Sequence, residues 1–144
     1  MSLEVFGDRW SLLLMRDMMV RGYRTYGEFL HAGEGIATNV LSDRLRRLVA
    51  AEVVSTERAA EDGRRVYYRL TEKGIAFAPV LLELLIWAAR YEETGAPCGV
   101  MEHMEANRET VLAETYRRWK ERDPHPILPP FGEKAGPTHR KEEG

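Results

Sequence analysis

A chain of 144 residues, 44% hydrophobic and 31% charged, has the balance of a globular domain and enough length to bury a core. Its net charge of −2 excludes a uniformly basic nucleic-acid binder, and its one cysteine, Cys98, excludes an internal disulfide framework. No signal pattern opens the chain and no apolar run reads as a membrane span, which together with the cysteine usage points to a reducing cytoplasm. Charge is uneven, however. Residues 36–74 hold eight Lys or Arg against six Asp or Glu, and residues 75–144 hold nine against twelve. A nucleic-acid surface therefore belongs in the first half.

The first predicted helix runs from Asp8, a plausible N-cap, to about Val20, with Gly22 as its stop. Trp10, Leu12, Leu13, Leu14, Met15, Met18, Met19 and Val20 make it apolar on most sides, as expected of a core or interface helix. Thr25 and Glu28 match a capping box that opens a short helix to about Ala32, with Phe29 and Leu30 inward. Gly33-Glu34-Gly35 forces a turn. A helix then spans Thr38 to about Ala50, with Thr38 expected as its N-cap and Leu41, Leu45 and Leu48 on one face. Asn39, Asp43, Arg46 and Arg47 fall on the other face. Two short helices joined by a Gly-containing turn form a helix-turn-helix, and Arg and Asn outside the second helix suit base edges in a major groove. Taken alone, that helix reads more readily as a solvated surface helix; the elements around it shift the reading towards DNA.

Beyond Ala51 the period changes. Val53 to Thr56 are strand formers, and Val66, Tyr68 and Leu70 alternate with Tyr67 and Arg69. Ala59-Ala60-Glu61-Asp62-Gly63 between them predicts a β-hairpin with Arg64 and Arg65 at its tip, a basic wing for a narrow minor groove or for phosphates. Its alternative is a solvated turn. Thr71 caps the next element, and an apolar segment continues to about Tyr91 with a kink or restart near Pro79. Leu81, Leu82, Leu84, Leu85, Ile86, Trp87, Ala88 and Ala89 exceed what one small core can cover, so a second chain is the economical cover. Gly95-Ala96-Pro97 marks a break. One further helix is predicted from Glu105 to Arg122, with Val111, Leu112, Tyr116 and Trp119 on its apolar side, and from Asp123 the Pro- and Gly-rich chain reads as an extended tail.

Gly-Asp-Arg-Trp-Ser-Leu-Leu (7–13), Thr-Asn-Val-Leu-Ser-Asp-Arg-Leu-Arg-Arg-Leu (38–48) and Val-Tyr-Tyr-Arg-Leu-Thr-Glu-Lys-Gly (66–74) resemble the HxlR family of bacterial winged-helix transcription regulators, part of the MarR-like group. The resemblance covers about residues 5–92, in family order and spacing. It implies a mainly α fold with a small β-hairpin: a winged helix-turn-helix with terminal dimerisation helices. It further implies a homodimer on a palindromic operator, the 38–50 helix in the major groove and the 59–65 wing at the minor groove or backbone. By position Thr38, Asn39, Ser42, Asp43, Arg46 and Arg47 lie on the recognition helix, and Arg64 and Arg65 on the wing. Leu12, Met15, Leu81, Leu84, Leu85 and Ala88 are expected at the dimer interface. The division expected is residues 1–94 as the winged-helix and dimerisation domain, 95–122 as an added helical segment and 123–144 as a tail. Several family members sense oxidants or electrophiles with a cysteine shortly before the Gly-Asp-Arg-Trp motif; residues 1–6 hold none, so that role is not carried over.

Other chemistry has little support. Cys98 and His103 lack further ligands nearby, and a lone Cys98 is more often inert than reactive. Gly33-Glu34-Gly35 lacks the spacing and the Lys of a phosphate loop, and His31, His103, His125 and His139 suggest no catalytic pair. No cofactor, metal or enzymatic activity is expected. Two alternatives remain: a winged helix acting as a protein-interaction module without specific DNA binding, and a regulator with an unknown small-molecule effector. The effector would sit between the wing domain and the extra helix, where Trp87, Tyr91, Tyr116 and Trp119 could gather.

Overall fold

The computed structural model describes residues 8–58, 63–91, 98–123 and 125, with Cys98 described by its backbone. Residues 59–62 of the expected wing, the Cys98 thiol and the tail beyond 125 lie outside the described residues. The elements in chain order are α1 (Arg9–Val20), α2 (Tyr26–Leu30), α3 (Thr38–Ala50), β1 (Val54–Arg58), β2 (Val66–Leu70), α4 (Glu72–Ile75), α5 (Ala78–Tyr91), α6 (Cys98–Ala106) and α7 (Arg108–Glu121). This is a winged helix-turn-helix followed by two added helices.

Local chemistry sets most boundaries. Asp8 accepts from the Trp10 N–H to cap α1, and Gly22 just past its end has φ 71°, a left-handed conformation that favours glycine. Thr25 and Glu28 close a full capping box on α2. Thr71 accepts from Gly74 N to cap α4. The chain restarts at Ala78, so Pro79 occupies the first turn of α5, where its missing N–H costs nothing. β1 and β2 pair antiparallel from Val54↔Leu70 to Arg58↔Val66.

Two boundaries differ from expectation. Thr38 is the first helical residue of α3 and not its cap; Ala37 holds the extended N-cap conformation and supplies no side-chain hydrogen bond. The single helix expected over 105–122 is two helices broken at Asn107. The Asn107 amide nitrogen and backbone N–H both donate to His103 O, which turns the chain between them.

α1 is the hub of the fold, in contact with α3, β2, α5 and α7. Met15, Phe29, Leu41, Leu48, Val53 and Val54 fill the centre of the core, and Met101, Met104 and Val111 from the added helices extend it. The added segment therefore packs back on its own chain. Arg90 pairs with Glu105, and Arg108 with Glu83, which ties α6 and α7 to α5.

The 20-residue stretch Glu72–Tyr91 contains an 18-residue window with a mean hydropathy of 1.5 and is long and apolar enough to cross a membrane by length and composition. That corrects the expectation that no apolar run reaches such a length. The stretch is broken into α4 and α5, and Leu81, Leu82 and Ile86 are buried in the domain core. Its outer side carries Val80, Leu84, Trp87 and Tyr91, exposed at 51%, 41%, 55% and 65%. Their spacing of four, three and four residues aligns them in one stripe.

A candidate nucleic-acid interface

α3 is held from beneath by Leu41, Leu45 and Leu48, all fully buried, which turns its opposite face to solvent. Thr38, Asn39, Ser42, Arg46 and Arg47 are exposed there, with Asp43 half-buried among them. All six residues expected on this helix thus share one outward surface. Arg64 and Arg65 are exposed beside the hairpin.

The arginines of α3 are not idle. Asp43 accepts from Arg46 at 3.0 Å, pairs with Arg47 at 3.0 Å and bonds Arg44. Arg44 in turn pairs with Asp8, the cap of α1. Asp8 thus joins the N-terminus of α1 to the middle of α3. The Arg46 hydrogen bond, with help from Arg44 and Arg47, holds the Asp43 carboxyl below the ordinary aspartate range. Asp43 therefore stays ionised and pre-arranges two exposed guanidinia on the outer face.

A buried ionic cluster positions the turn before α3. Asp17 is 2% exposed and accepts from Arg16 at 2.9 Å and from Arg21 at 3.1 Å. Arg16 reaches across to Glu34 in the Gly33-Glu34-Gly35 turn at 2.7 Å. Burial pushes the Asp17 carboxyl up, and the two guanidinia pull it back. Removing one partner would strand a buried charge, so the cluster fixes the turn between α2 and α3 against α1. Gly33 and Gly35 take φ of 86° and 72° to make that turn.

Two further residues belong to this surface. The Tyr26 hydroxyl donates to Thr38 O at 3.1 Å and lies 3.2 Å from the Ser42 hydroxyl, bracing the start of α3 from α2. Arg24 accepts through its carbonyl from Tyr68 N at 2.7 Å, which joins the α2 approach to the hairpin. Its exposed guanidinium stacks 5.4 Å from the Tyr67 ring centroid. An open cleft of about 740 Å³ runs between the N-terminal turn of α2 and the wing, lined by Arg24, Thr25, Tyr26, Arg64, Arg65 and Tyr67 among others. Glu28 lies in it too, but its carboxylate is committed to the backbone of Arg24 and Thr25. The cleft is therefore dominated by three arginines.

The residues expected at a dimer interface scatter. Met15 and Leu81 are buried in the chain's own core, at 0% and 4% exposure, and present no area to a partner. Their side chains point inward because α1 and α5 both pack on the domain centre. Leu12, Leu85 and Ala88 are half-buried, and Leu84 lies in the exposed stripe with Trp87, also among the residues expected to need a second chain, and with Val80 and Tyr91, which were not. Nor do the four aromatics expected to gather do so. Trp87 pairs with Tyr91 on α5 at 5.8 Å, and Tyr116 with Trp119 on α7 at 5.5 Å, as two separate ring pairs. Among the described residues no group of three His, Cys, Asp or Glu could hold a metal ion.

Comparison with known proteins agrees with this architecture. Residues 5–96 match the family model described as HxlR-like helix-turn-helix. An uncharacterized HTH-type transcriptional regulator of Mycobacterium tuberculosis is 34% identical over 104 residues, 71% of this chain and 65% of the relative. The HTH-type transcriptional regulator YodB of Bacillus subtilis is 31% identical over 94 residues, 65% of this chain and 83% of the relative. Among solved structures, the redox regulator HypR in its oxidized form superposes with a TM-score of 0.58 at 28% identity, over 64% of this chain and 94% of that one. The chain thus spans just under two thirds of the mycobacterial relative. It belongs to the HxlR-like helix-turn-helix family.

Proposed function

We propose that this chain is a cytoplasmic, DNA-binding transcriptional regulator that works as a homodimer on a palindromic operator. The observation that carries the reading is the shared surface of α3 and the wing-side cleft. Exposed Asn39, Ser42, Arg46 and Arg47 stand on a helix whose other face is locked by three buried leucines, and Tyr26, which braces the start of that helix, lines the cleft with Arg24, Arg64 and Arg65.

α3 enters the major groove with Arg46 and Asn39 able to make bidentate contacts to guanine and adenine. The amide end of α3 has no capping side chain, so its first-turn N–H groups can meet a phosphate. Arg24 and the wing arginines follow the backbone and set the register without reading sequence. Asp43 acts as a counterweight. It holds Arg46 and Arg47 in place and limits attraction to arbitrary DNA, which fits the near-neutral charge of the chain.

The exposed stripe Val80, Leu84, Trp87 and Tyr91 supplies the dimer contact, since its spacing suits antiparallel or crossed packing against the same stripe of a second copy. The alternative of a protein-interaction module predicts no preference among DNA sequences. Substituting Arg46→Ala tests between them. It should cost about 1–3 kcal/mol on a selected operator and relax its sequence preference. Equal binding of wild type and variant to operator and to random DNA would overturn the assignment of α3.

A further inference from the structure

The two arginines on the outer face of α3 are the far end of a charged chain that starts on α1. The Asp8 carboxylate accepts from Trp10 N at 3.2 Å and from the Ser11 hydroxyl at 3.5 Å, at a helix N-terminus that favours an anion. Its Oδ2 also takes the Nε–H of Arg44. The same guanidinium donates from Nη1 to Oδ2 of Asp43. Asp43 then holds Arg46 on Oδ1 and Arg47 on Oδ2, both at 3.0 Å. The order is Asp8, Arg44, Asp43 and last the two outer guanidinia.

Exposure divides this chain. The side chains of Asp8, Arg44 and Asp43 are 27%, 21% and 29% exposed, whereas Arg46 and Arg47 are 75% and 62% exposed. The inner three are lodged where α1 meets α3, and the outer two stand in water. Hydrogen bonding to Asp8, with Asp43 behind it, holds the Arg44 guanidinium above the ordinary arginine range. Joining α1 to α3 takes only the Arg44–Asp8 pair. The second bond, from Arg44 to Asp43, has a separate consequence.

Arg46 cannot serve Asp43 and a guanine at once, because a bidentate contact uses the donors that now face the carboxylate. Once Arg46 moves, Asp43 Oδ1 loses its partner. A carboxylate without a cation beside DNA is shielded from water and repelled by phosphates. Arg44 does not move with the outer pair, since Asp8 anchors it.

We propose that Arg44, anchored by Asp8, is a positioning residue for base reading: it stays on Asp43 while Arg46 exchanges its ion pair for a base. This rests on the DNA-binding reading of α3 above. Arg44 itself touches no DNA. It lowers the cost of releasing the side chain that does, and acts on sequence preference more than on attraction to DNA in general, where Arg46 keeps its partner.

A double-mutant cycle tests this, with the full chain, an operator selected from random duplexes and a random duplex of the same length, by fluorescence anisotropy at one salt concentration. Arg44→Gln should weaken operator binding by roughly tenfold and leave random binding within about threefold of wild type. In an Asp43→Asn background the same change should alter operator binding by less than about threefold, because a neutral amide needs no cation. A residue that only held two helices together would cost as much in either background. Far-UV circular dichroism checks the fold. Should Arg44→Gln fail to fold, Asp8→Asn replaces it: asparagine still caps α1 but frees Arg44. It should lower the operator-to-random ratio by about threefold or more with Asp43 present, and leave it unchanged with Asn at that position. A folded Arg44→Gln or Asp8→Asn variant with the wild-type ratio, or an equal loss in both backgrounds, would overturn the role of Arg44 alone. A wild type with no preferred sequence would overturn the reading of α3 and this role with it.

Discussion

Trp87→Ala asks whether the outer face of α5 joins two chains. Trp87 is 55% exposed and touches Tyr91 across the stripe. A buried aromatic side chain accounts for roughly 150–250 Å², so the exposed part of Trp87 offers about 100 Å² to a partner. At about 25 cal/mol per Å² that is roughly 2.5 kcal/mol per protomer. A two-fold interface counts it twice, and alanine retains a little, leaving about 4 kcal/mol lost per dimer. Since 1.4 kcal/mol is tenfold, the dimer dissociation constant should rise by roughly a thousandfold. Sedimentation velocity over a range of concentrations measures it, with far-UV circular dichroism and a thermal melt as controls. The far-UV spectrum should hold, because the residue is outside the core, while the melting point falls only by the stability that the dimer supplied. A dissociation constant within threefold of wild type would refute the stripe as the interface, as would a wild type that sediments as a monomer throughout.

Removing the wing arginines together (Arg64→Ala with Arg65→Ala) should weaken binding to all sequences alike. The slope of log affinity against log salt should fall by about 2, and an unchanged slope would exclude phosphate contact by the wing. Gly74→Ala should be severe, because an added Cβ would stand 2.2 Å from Val53 O and 3.0 Å from Leu70 Cδ2. Overpacking of that kind costs about 3 kcal/mol, roughly a 6–12 °C fall in Tm by calorimetry; a fall under 2 °C would mean that the α4–hairpin junction is soft. Acid should loosen α7 from the wing. Hydrogen bonds from Arg122 hold Glu57 below the ordinary range, those from Arg117 and Arg118 draw Glu114 down to about 2, and the backbone and ring of His125 bring Asp123 to about 2. Groups depressed on folding stabilise above their unfolded value and lose that contribution as pH falls through the folded one. The Glu57–Arg122 pair, which joins the wing to the end of α7, should therefore be lost as pH falls below about 4, and the pairs within and just past α7 at Glu114 and Asp123 should follow at about pH 2. Near-UV circular dichroism of wild type against Trp119→Phe would follow it, and a midpoint above pH 5 would contradict the cause.

What could be read in the chain beforehand was what local chemistry decides. The Asp8 and Thr71 caps, the Thr25–Glu28 capping box and the Gly22 stop each involve groups within four residues of one another. The outward face of α3 was legible because three leucines at helical spacing can only point inward. The start of α3 was misplaced by one residue, because the choice between Ala37 and Thr38 depends on contacts from afar. Ile36 is buried in the core, and Tyr26 bonds Thr38 O. The break at Asn107 was invisible for the same reason: Arg90–Glu105 and Arg108–Glu83 hold two helices against α5 at different points. Hydropathy also misdirected the interface. Met15 and Leu81 are as apolar as Trp87, and only packing shows which of them the core has already used. The buried Arg16–Asp17–Arg21–Glu34 cluster and the reach of Trp119 to Leu70 join residues up to 49 apart, where periodicity carries no signal.

The central claim is that two copies of α3 read two half-sites. Selection of bound sequences from random duplex DNA by the full chain, at moderate salt, tests it most directly. A two-fold dimer predicts an enriched inverted repeat whose half-sites are centred about one helical turn, roughly 10 base pairs, or a multiple of it apart. Recovery of no preferred sequence, or of a single asymmetric site bound by one chain, would contradict it.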